Sequence, residues 1–187
     1  SYNTRVPTTF STLDIHEDQY IKNLHKHDDE LIMLRDFCKW MNQENFDMIT
    51  GWNSVLFDMP YIINRIRRLR AERGVKTEFE NLLSPLGKRP EAKDISDKKQ
   101  GNELGSSYEI PGLIHHDYME LYKTFAKHDP LPSYSLGYVS NIELGTGKLE
   151  YEGTINTIWQ TNPQQFGDYN VVDNVRIVEI EDKKQIF

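Results

Sequence analysis

Residues 46–65 read FDMITGWNSVLFDMPYIINR, and within this stretch a strand pattern passes almost directly into a helix pattern. The first part, Phe46–Trp52, is short, rich in apolar side chains and bounded by polar residues, which predicts a buried strand. The last part carries an apolar stripe at helical spacing as far as Leu69, with Pro60 in the first turn, where proline is tolerated. The carboxylate of Asp58 therefore lies where a short loop after a strand meets the N-terminus of a helix.

Strand and helix patterns alternate on both sides of this stretch. A helix is predicted from Asp28, because apolar residues follow at helical spacing and Asp28 and Asp29 can serve as N-terminal caps. Asp117 and Glu120 resemble a capping box at the start of a later helix. The remaining predicted elements are a short strand near Arg5–Phe10, a strand at Gly112–His116, a helix through Phe125, a short helix at Tyr134–Ile142, a glycine-rich turn at Gly145–Gly153, a helix near Ile155–Trp159 and a longer helix from about Pro163. This alternation indicates an α/β fold.

The charge balance limits how the protein could meet nucleic acid. The 187 residues include 22 basic and 29 acidic side chains, and the resulting net charge of −7 disfavours a protein that coats nucleic acid with its whole surface. Residues 59–73 differ, because five arginines against Glu72 alone give that segment a net charge of +4. These arginines could contact phosphate or complement the negative end of the helix dipole, and the sequence leaves both interpretations open.

Composition also limits the location of the protein and its metal ligands. No run of residues approaches the roughly 18 consecutive apolar side chains of a membrane helix, and the N-terminus has no signal pattern, so we expect a cytoplasmic protein with no membrane partner. Cys38 is the only cysteine, which excludes an intrachain disulfide and a multi-thiolate metal site. Any metal must therefore use oxygen or imidazole ligands. Cys38 itself lies on the apolar stripe of the first helix and is predicted to be a small buried side chain.

Two constellations could carry chemistry, and each has a simpler interpretation. Asp58 could be a reactive carboxylate, or it could only cap the helix that follows it. Tyr169 and Asp173 are spaced so that a phenol and a carboxylate share one face of the last helix, but a solvated aspartate beside a half-buried tyrosine would look the same. The adjacent His115 and His116 point to opposite faces of their strand, which argues against a shared metal.

Taken together, these strings resemble a known family. ITGWN, FDMPYIINR and the segment YNVVD at Tyr169–Asp173 resemble the second and third exonuclease motifs of family B DNA polymerases, particularly those of T-even-like bacteriophages. HHDYMELYKTF, LPSYSLGYVS and GKLEYEG are similar to other segments of that exonuclease domain. The resemblance runs from about Asp28 to Ile180 in the order and spacing of the family.

The resemblance implies a ribonuclease H-like, DnaQ-type 3′–5′ exonuclease domain that removes mispaired nucleotides from a DNA primer 3′ end or from single-stranded DNA. Two divalent cations, Mg²⁺ or Mn²⁺, would perform the hydrolysis. The roles that the resemblance implies are metal-facing carboxylates for Asp58 and Asp173, positioning of the attacking water for Tyr169, and contacts with the substrate for Asn53, Phe57, Arg65 and Arg68.

The sequence departs from the family at its first motif, an Asp-x-Glu at the end of a hydrophobic strand. Asp28-Asp29-Glu30 has the spacing but opens a helix, and Asp14-Ile15-His16 lacks the glutamate. We therefore expect the first strands of the sheet to be missing and the isolated chain to be inactive, because the remaining members of a catalytic unit retain little activity.

The predicted domain organisation follows from this departure. Residues 1–27 are expected to be irregular and residues 28–187 to form a partial exonuclease domain, with a long loop or hairpin at 84–111. The expected partners are the remaining polymerase domains, in the same chain or a separate one, or a second copy of the chain through an exposed sheet edge. The alternative is a non-catalytic DNA-binding or assembly subunit of a split polymerase.

Overall fold

The computed structural model describes residues 4–97, 102–146 and 155–187, in which helices and short strands alternate as the sequence predicts. The helices are α1 (Glu30–Glu44), α2 (Asp58–Glu72), α3 (Tyr118–Phe125), α4 (Leu136–Leu144), α5 (Ile155–Thr161) and α6 (Pro163–Lys184). The strands are β1 (Thr9–Ser11), β2 (Leu24–Lys26), β3 (Met48–Gly51), β4 (Glu91–Asp97), β5 (Asn102–Glu109) and β6 (Ile114–Asp117), and short 3-10 turns occupy Phe79–Leu83 and Ala126–His128. Most of the predicted glycine-rich turn, residues 147–153, lies outside the described residues.

Within these ranges the strands pair two by two. β1 pairs with β2 and β3 with β6, both in parallel, while β4 and β5 are antiparallel. The antiparallel β4–β5 pair lies within residues 84–111, the segment that the sequence predicted to be either a long loop or a hairpin. The prediction of a buried strand before Trp52 is wrong, because Met48 and Thr50 of β3 are exposed. Successive side chains of a strand point to opposite faces of its sheet, and the face of β3 that carries Met48 and Thr50 is the exposed one.

The described residues fall into two compact units. The central unit is Glu30–Tyr118, and the terminal unit combines the segment up to Asp29 with Met119–Phe187. The sequence predicted a boundary after residue 27, with residues 1–27 as a separate irregular segment. In the structure this segment belongs to the terminal unit, because its Ile15 and Ile21 are buried in one cluster with Val171 of α6. Such a grouping joins residues that lie far apart in sequence, and local patterns carry no signal for it.

Helices α1 and α2 supply most of the core of the central unit, at the apolar spacing that the sequence shows. The buried members of this core are Leu31, Leu34, Cys38, Met41, Met59, Ile63, Ile66, Leu69, Phe79, Leu83, Ile110 and Leu113. The prediction for Cys38 is confirmed: its side chain is fully buried, and burial together with the negative charge of Glu80 raises the pKa of the thiol to about 12. Glu80 is itself fully buried and accepts two hydrogen bonds from Arg70.

The helices of the terminal unit begin and end at residues suited to those positions. The Ser135 hydroxyl accepts the N–H of Tyr138 at the start of α4, and Gly145 ends that helix in the left-handed conformation. Asn162 caps α6, whose first residue is Pro163. Because α4 and α5 both pack against α6, the long last helix organises this unit.

Candidate active-site residues

The loop after β3 is fastened to the end of β6. In the parallel pairing, Gly51 is opposite Asp117, so both strands deliver their carboxyl ends to the same edge. One carboxylate oxygen of Asp117 accepts the N–H of Asn53 at 3.1 Å and the other accepts the N–H of Val55 at 3.3 Å. Between these two contacts, the Ser54 hydroxyl lies 2.9 Å from Nε2 of His115. Three consecutive loop residues are thus held by one strand.

The path of this loop depends on its small and polar residues. Asn53 has a φ of +63°, a left-handed conformation that asparagine tolerates better than most residues. Gly51 is needed because a Cβ there would lie 2.8 Å from the Cβ of Ser54. The sequence string GWNS therefore corresponds to a tight turn that leads from the strand into the next helix.

Asp58 is the first residue of α2, directly after this turn. The loop carbonyls of Asn53 and Ser54 accept the N–H groups of Phe57 and Met59, each at 3.1 Å. The interpretation of Asp58 as the N-cap is wrong, because the N-cap position is Phe57, which provides no side-chain hydrogen bond. The position of Asp58 at the positive end of the helix dipole remains favourable for a carboxylate.

The surroundings of Asp58 disfavour its negative charge, although its side chain reaches the surface. Neighbouring protein atoms exclude part of its water, which raises the pKa of Asp58, and repulsion from the Asp117 carboxylate raises it further. A cation beside Asp58 would relieve both effects, and carboxylate oxygens are ligands that Mg²⁺ and Mn²⁺ accept. The donor type and charge therefore fit a divalent cation. In the ranges that the structure describes, however, no three His, Cys, Asp or Glu side chains are grouped to hold a metal.

Two exposed aromatic rings accompany Asp58. The side chains of Phe57 and Tyr61 are 65% and 60% exposed, although large aromatic residues are usually buried more deeply. Phe57 is the N-cap of α2 and Tyr61 lies in its first turn, where the N–H of Tyr61 donates to the carbonyl of Phe57. Exposed rings next to a carboxylate are suited to stacking against nucleic-acid bases.

The arginines of α2 are paired with protein groups. Arg65 binds Glu30 through two contacts, of 2.8 Å and 2.5 Å, and this pairing raises its pKa. Arg68 binds Glu72 at 2.8 Å with 70% of its side chain exposed. Arg67 donates to the carbonyl of Pro90, and the side chain of Arg70 is largely buried against Glu80. The sequence left two roles open for these arginines, contact with phosphate or interaction with the helix dipole. In the structure they form ion pairs and hydrogen bonds with groups of the central unit instead.

Tyr169 and Asp173 both lie on α6, in the terminal unit. Tyr169 is buried, with 7% of its surface exposed, and Asp173 is half-buried. The four-residue spacing sets both on one side of the helix, as the sequence predicts. Asp58, Asn53, Phe57, Arg65 and Arg68 lie in the central unit.

The sequence did not assign a functional role to Asp117, His115 or Ser54. Asp117 was interpreted as part of a capping box for its own helix, yet its carboxylate accepts N–H groups from a loop more than 60 residues earlier. A signal existed, because GWN and HHD each lie at the carboxyl end of a predicted strand, and parallel strands end at the same edge of a sheet. The prediction that the two histidines face opposite sides is confirmed: His115 is half-buried and His116 is exposed.

Comparison with known proteins adds the following similarities. A family model described as the exonuclease domain of DNA polymerase family B matches residues 6–139. The chain is 38% identical over 156 residues to a DNA-directed DNA polymerase of Enterobacteria phage T4, and 35% identical over 158 residues to one of Escherichia phage RB69. It is 29% identical over 142 residues to a DNA polymerase delta catalytic subunit of Caenorhabditis elegans.

These matches cover 83%, 84% and 73% of the chain but only 16%, 16% and 12% of the T4, RB69 and Caenorhabditis proteins. The chain therefore spans about a sixth of the length of its phage relatives. Among the described residues, no helix is long and apolar enough to cross a membrane.

Proposed function

The chain belongs to the exonuclease-domain family of the family B DNA polymerases, and on that premise we propose that it is the proofreading part of a larger DNA polymerase. In this proposal the domain hydrolyses the last phosphodiester bond of a primer 3′ end or of single-stranded DNA. The rest of the polymerase, in the same chain or a separate one, supplies the remaining machinery. The observation that carries the proposal is the start of α2, where Asp58 combines a raised pKa with exposed aromatic neighbours.

Exonuclease domains of this family use divalent metals. We propose Asp58 and Asp173 as two of the carboxylates that hold such cations, Mg²⁺ or Mn²⁺, when they are bound. The cations would lower the pKa of the attacking water and stabilise the leaving 3′ oxygen. The elevated pKa of Asp58 supports this assignment, because a carboxylate whose charge is disfavoured in the free protein gains most from a neighbouring cation.

The remaining assignments concern the substrate. Phe57 would stack against a terminal base, which its 65% exposure permits, and Asn53 would contact the same nucleotide from the preceding turn. Tyr169 would orient the attacking water through its hydroxyl. Both arginines are paired, but the Arg68–Glu72 pair is exposed and easily exchanged for phosphate, whereas the Arg65–Glu30 pair is more deeply buried. We therefore expect Arg68 to contribute more to DNA affinity than Arg65.

The test uses a hybrid polymerase in which this chain replaces the matching segment of the T4 phage protein. We expect the hybrid to shorten a 5′-labelled single strand from its 3′ end in the presence of Mg²⁺ or Mn²⁺. Asp58→Ala and Asp173→Ala should each abolish this shortening and leave primer extension intact. Asp47→Ala, at an exposed carboxylate of the central unit, is the matched control and should keep both activities.

The outcomes separate the candidate functions. Shortening that persists in Asp58→Ala or Asp173→Ala would contradict the assignment of that residue. A hybrid that extends primers but never shortens them would contradict the exonuclease and favour the non-catalytic DNA-binding or assembly subunit. The isolated chain is tested in a separate assay. We expect it not to shorten DNA, because the family's first carboxylate motif was not found in its sequence.

A further inference from the structure

Two inward-facing side chains of β6 anchor the loop that leads to Asp58. Asp117 and His115 stand two residues apart on this strand, so they face the same side. Asp117 accepts the N–H groups of Asn53 and Val55, and His115 pairs with Ser54. Each residue from 53 to 55 is therefore fastened to the same strand, and the anchors lie 61 to 64 residues later in the chain.

The loop needs this support because its own conformation is unfavourable. Asn53 adopts a left-handed φ of +63°, which asparagine tolerates better than most residues but which still disfavours the turn unless neighbours hold it. The helix that follows has no side-chain N-cap, so its first turn depends on the loop for hydrogen-bond acceptors. The charged acceptor at Asp117 makes stronger hydrogen bonds to the two N–H groups than a neutral group would.

The position of the loop is transmitted to Asp58 through the backbone. The carbonyl of Asn53 accepts from Phe57 and the carbonyl of Ser54 accepts from Met59, the residues on either side of Asp58. A shift at residues 53–55 therefore moves the carbonyls to which both neighbours of Asp58 are bonded. A displacement of about 1 Å at a reacting group can cost about 100-fold in rate.

We propose that Asp117 is a positioning residue of the exonuclease: it does not touch DNA, but holds the Asn53–Val55 turn so that Asp58 is correctly oriented. This inference rests on the proposed function and adds to it a residue to which the sequence assigned no catalytic or binding role. His115 contributes to the same anchor through one neutral hydrogen bond, so its effect is the smaller of the two.

The kinetic test uses Asp117→Ala and Asp117→Asn in the hybrid polymerase. For Asp117→Ala we expect the maximal rate of 3′ shortening to fall about 100-fold, with little change in the DNA concentration that gives half of it. Asp117→Asn retains one carbonyl acceptor and should recover part of the rate. His116→Ala, on the opposite face of the same strand, is the matched control, and unchanged hydrogen exchange of the core segment Ile62–Leu69 reports that the central unit of each variant is folded.

A second test measures how firmly Asp117 holds the loop, without any catalytic assay. In the chain itself, hydrogen exchange of the segment Trp52–Phe57 should become at least 10-fold faster in Asp117→Ala, while the core segment Ile62–Leu69 stays as protected as in the unsubstituted chain. Equal acceleration in both segments would show that Asp117 only supports overall stability and would overturn the proposal. Unchanged exchange in Trp52–Phe57 would overturn it as well.

The two proposals fail in distinguishable ways. If Asp58→Ala abolishes shortening while Asp117→Ala shortens DNA at the full rate, the positioning role is wrong and the exonuclease stands. If the hybrid never shortens DNA, the exonuclease is wrong, and the hydrogen-exchange result still decides whether Asp117 anchors the loop.

Discussion

Replacing Glu80 with glutamine should destabilise the central unit strongly, because it removes a buried negative charge that faces a largely buried arginine. Nη1 of Arg70 lies 2.7 Å and 2.8 Å from the two Glu80 oxygens, and the two side chains are 10% and 0% exposed. Nε of Arg67 also lies 3.6 Å from the Glu80 carboxylate. Breaking such a buried pair from one side costs about 3–5 kcal/mol, because the remaining charge loses its partner without regaining water.

A surface ion pair of the same helix provides the matched control. Arg68 and Glu72 approach to 2.8 Å, but their side chains are 70% and 50% exposed, so Glu72→Gln should change the free energy of unfolding little. The two substitutions make the same chemical change, and their difference isolates the effect of burial. The double variant Arg70→Met with Glu80→Leu should recover most of the loss, because it removes both buried charges together.

Urea unfolding followed by tryptophan fluorescence measures these free energies. In a Trp159→Phe background, the remaining tryptophans, Trp40 and Trp52, both lie in the central unit and report on it. An unchanged slope with urea would show that each variant unfolds from a comparable native state. The reasoning is refuted if Glu80→Gln costs within about 1 kcal/mol of Glu72→Gln, since burial would then add little to the pair.

Three further predictions follow from other contacts. In the terminal unit, burial and the negative charge of Asp18 raise the pKa of Asp168, so above pH 3.8 the folded chain binds more protons than the unfolded chain and its stability falls as the pH rises. Asp168→Asn should therefore be more stable than the unsubstituted chain at pH 7 and should lose that advantage near pH 4. The opposite trend in urea midpoints would contradict this prediction. The Cys38 thiol, buried and with a pKa of about 12, should react with a disulfide reagent at pH 8 only as fast as the chain unfolds, and a rapid reaction without denaturant would contradict its burial. Gly51→Ala should cost about 1–3 kcal/mol in urea unfolding, because the new Cβ would lie 2.8 Å from that of Ser54, and a neutral effect would show that the turn has room to move.

The helices could be predicted because their signals are local. The apolar spacing of α1 and α2 places buried side chains at the positions that the structure confirms, and Pro163 marks the start of α6. The family could also be recognised from the short strings around Asp58 and Asp173, because each string forms a recognisable motif within a few residues. Local periodicity and local motifs therefore account for most of what the sequence predicted correctly.

The incorrect predictions concern interactions between distant residues. A short strand was expected near Arg5–Phe10, where β1 lies, but its partner β2 has only three residues, too few for alternation to be recognised. The grouping of the N-terminal segment with α6 depends on contacts about 150 residues apart in sequence. The exposure of β3 depends on what packs against each face of its sheet, and an apolar run of residues concealed a burial pattern that alternates between two faces. Such features depend on the assembled sheet and cannot be derived from one segment.

The loop before Asp58 shows why a motif alone does not explain a site. Its string contains the glycine that permits close approach and the asparagine that tolerates a left-handed φ, so the turn is encoded locally. The groups that hold the turn, Asp117 and His115, come from a strand more than 60 residues later and reach it only because β3 and β6 pair in parallel with Gly51 opposite Asp117. A one-residue slip of that register would turn both anchors to the opposite face. The orientation of Asp58 therefore depends on the pairing of two strands as much as on its own motif, which is why we expect a substitution at Asp117 to impair the same reaction as one at Asp58.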